Sequence, residues 1–151
     1  YGYAQAVKVG DTIYVSGQLS HDDNGRLVGD TMEAQMRQAY VNVRRILAAF
    51  GATLDNVVEE VIYVTDMDAA FAVAGPVRKE AYGSPKPDVA NTILVTPRLA
   101  FPQQMIEIKL MRIAVLVANE EVAFFITQEL RRFTVVQVQT EVSFEGRFQT
   151  Q

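Results

Sequence analysis

The chain contains no cysteine, which excludes disulfides, thiolate metal sites and cysteine nucleophiles. Its single histidine, His21, stands in a polar loop and is expected to face solvent. No group of metal ligands gathers in the sequence, so no metal is expected. A Ser-His-Asp triad would have to use His21, and nothing else supports one. Basic residues are outnumbered: 14 Lys and Arg stand against 18 Asp and Glu, for a net charge of −4. Arg44-Arg45 and Arg131-Arg132 are isolated pairs rather than a patch. An acidic chain without a basic surface repels phosphate backbones, so no nucleic-acid partner is expected. No run of 18 apolar residues is present, so no membrane span is expected. No secretory leader is expected, and with the lack of cysteine the expectation is a cytoplasmic protein. Gly25 and Gly29 lack the pattern of a phosphate-binding loop.

What is present reads as one ordinary globular domain. The 151 residues are 49% hydrophobic and 21% charged. Residues 4–9 and 12–17 are short and rich in β-branched and aromatic side chains, and Gly10-Asp11 between them signals a hairpin turn. Residues 21–29 form a polar loop. Residues 30–50 are the clearest helix. Asp30 and Glu33 make a capping-box pattern, while Met32, Met36, Ala39, Val43, Ile46 and Phe50 recur as one apolar stripe. Gly51 follows where a left-handed residue ends a helix. Residues 57–65 read as a strand. Asp68 is expected to cap a second helix that runs to about Tyr82, with Gly75-Pro76 kinking or splitting it. Residues 91–96 and 105–115 complete the strands.

The order β-β-α-β-α-β-β implies an α+β architecture, two helices packed on one face of a mixed sheet. Ile13, Val15, Val61, Tyr63, Ile93, Val95, Ile106 and Ile108 are too many apolar strand residues for one buried face, so an oligomer is expected to cover the other. Residues 115–151 differ in composition. They hold five of the eight Phe, five Gln, and neither Lys nor Pro. Asn119 is placed to cap a helix over 120–132, and residues 134–144 alternate like a strand. The chain is therefore divided into a domain over 1–114 and a C-terminal extension over 115–151 without an assigned role.

Three stretches carry a family resemblance. They are Tyr3-Ala4-Gln5-Ala6-Val7 with Ile13-Tyr14-Val15-Ser16-Gly17-Gln18; Gln35, Asn42-Val43 and Gly51-Ala52 leading to Val61-Tyr63-Val64-Thr65-Asp66; and Met105-Ile106-Glu107-Ile108. In order and spacing they resemble the RidA/YjgF family of reactive-intermediate deaminases, also known as endoribonuclease L-PSP-like proteins, over residues 1–114. The resemblance implies a chorismate-mutase-like fold and a homotrimer with a central barrel. It also implies three ligand clefts at the subunit boundaries, and hydrolysis of enamines and imines to carbonyl compounds and ammonia without any cofactor. It carries the family's site tyrosine onto Tyr3, its Ser-Gly onto Ser16 and Gly17, and its water-positioning glutamate onto Glu107. Where the family has an arginine that grips the substrate carboxylate, this chain reads Val89-Ala90-Asn91-Thr92, so Asn91 stands in its place.

The chemistry is consistent with these residue types. A carboxylate can activate water and then return a proton to nitrogen, the role implied for Glu107. An asparagine offers a neutral amide where an arginine would offer a charged, bidentate fork, so Asn91 suits an amide, a hydroxyl or a neutral imine. Each residue has a plainer reading as well. Glu107 can face solvent or a neighbouring subunit, Asn91 can simply end a strand, Tyr3 can be an interface aromatic, and Gly17 can terminate its strand. The expectation is a small-molecule ligand in an intersubunit cleft, with imine hydrolysis as the activity. The alternative is a non-catalytic ligand-binding or sensor subunit. A ribonuclease, as some relatives are named, is disfavoured by the acidic charge.

Overall fold

The computed structural model of the chain describes residues 2–113. The helix and strand expected within 115–151 lie outside the described residues. The order is β1 (Ala6–Val9), β2 (Thr12–Gln18), α1 (Met32–Ala49), a 3-10 turn (Leu54–Asn56), β3 (Val57–Val64), α2 (Met67–Tyr82), β4 (Ala90–Val95) and β5 (Ile106–Ile113). The strands form one sheet in the order β1-β2-β5-β3-β4. Only β3 and β4 run parallel, with α2 as the crossover between them, and every other neighbour is antiparallel. This is the expected α+β arrangement.

Both helix starts differ from expectation. Thr31 rather than Asp30 caps α1, its Oγ1 accepting from the Ala34 amide at 3.2 Å. Asp66 rather than Asp68 caps α2, its Oδ1 accepting from the Ala69 amide at 3.0 Å. In each case the backbone is still extended at the true cap, which lets the side chain fold back onto the first turn. The expected break at Gly75-Pro76 does not occur, and α2 runs through it. Pro76, Gly75 and Ala72 all lie on the exposed side of the helix, so the carbonyl deprived of a donor faces water.

Met32, Met36, Ala39 and Val43 of the expected stripe are buried, joined by Tyr40 and Leu47, whereas Phe50 at the helix end is exposed. They pack on Ile13, Val15, Ile62, Val64, Ile106, Ile108 and Leu110. Strand alternation and register place all of these on one face of the sheet, the one under the helices. Of the eight apolar strand residues named from the sequence, most fall on this one face and only Val61 and Tyr63 on the other. The opposite face is nevertheless partly apolar. It presents Val7, Tyr14 and Leu94, which are 51%, 48% and 46% exposed, with Val61 and Tyr63 half-buried among Glu59, Glu107 and Lys109.

Candidate functional site

The register of β2 on β5 supplies the first element of a site. Val15 pairs with Leu110 and Gln18 with Ile108, so three steps along β2 oppose two along β5. The extra residue is a bulge, and it contains Ser16 and Gly17. The Ser16 hydroxyl donates to the Ala4 carbonyl at 2.7 Å, which ties the N-terminal segment carrying Tyr3 to the bulge. Gln18 adds a second tie, donating to Gln5 Oε1 at 3.0 Å.

Glu107 meets Gly17 across the bulge. A Cβ on Gly17 would lie 1.8 Å from Glu107 Oε1 and 2.5 Å from its Cδ. Only glycine leaves room for this carboxylate, so Gly17 does more than end a strand. The other oxygen, Oε2, accepts from Gln104 Nε2 at 3.3 Å. Gln104 is itself buried and pinned, donating also to the Ile106 carbonyl and accepting from the Phe101 amide. The loop that carries it is in turn fastened by buried Gln35 of α1. Gln35 donates to the carbonyls of Gly29 and Gln103 and accepts from the Met105 amide at 2.8 Å. One helical side chain thus joins the ends of both loops that flank Glu107.

Tyr3, Ser16, Gly17 and Glu107 line a single cavity of about 460 Å³, walled further by Leu19, His21, Ala100 and Phe101. His21 corrects the expectation of a solvent-facing side chain: it is half-buried, with its ring edge-on to Phe101 at a centroid distance of 4.8 Å. Its backbone carbonyl accepts from Asn42 at 2.8 Å, which holds the loop against α1. The sequence did not single out Phe101, Gln104 or the wall role of His21. They lie in loops, where no periodicity marks a residue as inward-facing.

Asn91 is placed elsewhere. It pairs in register with Glu60, on the face under the helices, and its Nδ2 donates to Glu60 Oε2 at 2.8 Å. Within one protomer it does not line the cavity of Glu107. Glu60 is completely buried and accepts four donors. Tyr40 and Tyr82 hydroxyls reach Oε1 at 2.7 and 3.1 Å, while Arg78 Nε and Asn91 reach Oε2, both at 2.8 Å. Burial, and then the Glu60 charge, push both tyrosines well above the usual phenol range. Burial alone would lower the Arg78 guanidinium, but the charge and hydrogen bond of Glu60 outweigh it and raise it. A buried carboxylate persists only with such compensation. In the sequence Glu60 was one position in an alternating strand, and nothing local disclosed its four partners. Among the described residues, no group of three or more potential metal ligands is present, and no helix is long and apolar enough to cross a membrane.

A mixed sheet backed by two helices, with a carboxylate set against a glycine bulge at its open face, defines a small α+β protein with a ligand-sized cavity. Residues 1–115 match the family model described as endoribonuclease L-PSP. The chain belongs to this family, the RidA/YjgF family. It is 36% identical over 86 residues to a RutC family protein of Pyrococcus abyssi, covering 56% of this chain and 67% of the relative. It is 37% identical over 86 residues to the bovine 2-iminobutanoate/2-iminopropanoate deaminase, covering 56% of this chain and 62% of that protein. Among solved structures, RidA from the Antarctic bacterium Psychrobacter sp. PAMC 21119 superposes with a TM-score of 0.67 at 33% identity, over 75% of this chain and 89% of that one.

Proposed function

We propose that the protein is a hydrolase of small imines or enamines, with Glu107 as its catalytic carboxylate. The observation that carries the reading is the placement of Glu107. One carboxylate oxygen is held by Gln104, and the other lies over Gly17 at the wall of a cavity shared with Tyr3 and Ser16. In this reading Glu107 takes a proton from water as the water oxygen attacks the C=N carbon. It then returns that proton to nitrogen, giving a carbinolamine; a second transfer through Glu107 carries the hydroxyl proton to nitrogen as the C–N bond breaks, leaving a carbonyl compound and ammonia. Tyr3 and Ser16 line the cavity for binding, and no cofactor enters the balance. Homologues named as imine deaminases support the reaction class.

The reading includes a homotrimer that closes the cavity with a neighbouring copy. The half-apolar open face, with Val7, Tyr14 and Leu94 exposed, favours such an assembly. Asn91 is not a carboxylate grip, because its amide is engaged by Glu60. The test is ammonia release from freshly generated 2-iminopropanoate. Glu107→Gln should abolish turnover while binding of pyruvate, the carbonyl product, persists. Wild-type turnover in that variant refutes the assignment. Pyruvate binding without any turnover in the wild-type protein would instead favour a non-catalytic binding subunit. Sedimentation reads the assembly, and a monomer at micromolar concentration would remove the trimer.

A further inference from the structure

The cavity of Glu107 is larger and more aromatic than hydrolysis of a three-carbon imine requires. Its volume of about 460 Å³ lies within the span of about 300–1,000 Å³ usual for pockets that take drug-sized ligands. The groups with a chemical or binding role on the strands, Ser16, Gly17 and Glu107, gather where β2 bulges from β5. His21 and Phe101 come from two separate loops and line the same cavity, both half-buried. Their rings meet edge-on, at 4.8 Å between centroids and 70° between planes. Tyr3, 58% exposed, adds a third ring. Each loop is locked in place. His21 bridges to Leu27 across a tight turn in which Asp22 Oδ1 accepts from the amides of Asn24 and Arg26, both at 2.9 Å. Gln104 holds Phe101 twice: its Oε1 accepts from the Phe101 amide at 3.3 Å, and its own amide donates to the Phe101 carbonyl at 3.1 Å. The same Gln104 side chain donates to Glu107, so the aromatic wall and the carboxylate share one anchor.

From this we infer that His21 and Phe101 form a specificity subsite, which takes an aromatic ring that the substrate carries beside its C=N bond. Two rings set nearly at right angles make a corner. A flat group can lie against the face of one ring while it meets the other edge to face, and both arrangements are favoured between aromatic groups. An alkyl group gains burial in such a corner but not this pairing. The loops are already fixed by their own hydrogen bonds, so little freedom is lost when the corner is filled. A pair serving stability alone would have both rings buried in the core. Here each keeps apolar surface towards a cavity, and a ligand that covers it gains the free energy of removing that surface from water. The inference deepens the proposed function by naming the group its substrate carries, as in 2-imino-3-phenylpropanoate. It rests on that reading only for the reaction that follows binding.

The test uses the full chain with three keto acids of equal charge: pyruvate, 4-methyl-2-oxopentanoate and phenylpyruvate. The chain has a single histidine, so the imidazole C–H signals belong to His21 without ambiguity. Phenylpyruvate should shift those signals through its ring current and, by calorimetry, bind at least about tenfold more tightly than pyruvate. The branched keto acid should bind with intermediate affinity. His21→Ala and Phe101→Leu should each reduce the phenylpyruvate-to-pyruvate affinity ratio to about threefold or less, and His21→Phe, which restores a ring, should recover it. A ratio retained in folded His21→Ala overturns the inference, as does 4-methyl-2-oxopentanoate binding as tightly as phenylpyruvate. If the variants do not fold, the wild-type spectrum decides, and an unmoved His21 signal overturns it. Selective phenylpyruvate binding with no turnover of any imine keeps the subsite and removes the hydrolase. Turnover of 2-iminopropanoate and 2-imino-3-phenylpropanoate at equal kcat/KM, with no difference in keto acid affinity, does the reverse.

Discussion

Gly17→Ala separates the site from the fold. The added methyl carbon would sit 1.8 Å from Glu107 Oε1, against 3.4 Å or more for ordinary contact. The carboxylate must therefore retreat by about 1.5 Å, and a displacement near 1 Å can cost on the order of 100-fold in rate. The clash is with the end of a flexible side chain, and Gly17 has no positive φ, so the backbone can accept alanine. Losing the Gln104 hydrogen bond removes roughly 1 kcal/mol, while restricting the unfolded chain returns about 0.4–1 kcal/mol. Stability should thus change little, shifting Tm by only a few degrees, while kcat/KM for 2-iminopropanoate falls about 100-fold or more. Calorimetry and the ammonia assay on the same sample read both quantities. An alanine variant with wild-type turnover would show that the position of Glu107 is irrelevant to activity, and the mechanism would fail with it.

The buried cluster gives two further expectations. Glu60→Ala leaves Arg78, Asn91 and two phenols without their acceptor and should cost about 3–5 kcal/mol in urea unfolding; a loss under 1 kcal/mol would refute the network. Tyr40 and Tyr82 titrate higher in the folded state than their ordinary value of 10.0. The stability they contribute is complete below pH 10 and declines as pH rises above it, because the unfolded chain then ionises first. Urea midpoints should fall above pH 10, and Tyr40→Phe should flatten that fall; an equally steep decline in the variant would count against it.

The elements were legible in the sequence because hydrophobic spacing dictates them. The alternation of Glu60, Ile62 and Val64 and the Met32-Met36-Ala39-Val43 stripe each reappear as a buried face, although a register shift at the start of β3 buries Val57 in place of Val58. Errors fell where local signals compete. Thr31 and Asp66 stand beside equally good capping residues, and Pro76 is tolerated because its side of α2 faces water. Tyr3, Ser16, Gly17 and Glu107 were named together through family resemblance, and they line one cavity. The partners of Asn91 were not legible, since Tyr40, Glu60, Arg78 and Tyr82 meet only after two helices and two strands have packed. Gln104 escaped for the same reason, since a glutamine in a loop reads as surface until the loop is folded inward.

The fastening of two loops by Gln35 has a consequence for how the cavity behaves. Such segments are usually the softest parts of a protein, opening on their own while the framework stays closed. Here residues near 29 and 103–105 share one amide that belongs to the central helix. Opening either segment near the cavity therefore breaks hydrogen bonds to that helix. Substitutions deep in the interior, far from any bound molecule, will then be felt as loss of the rim's shape as well as loss of stability.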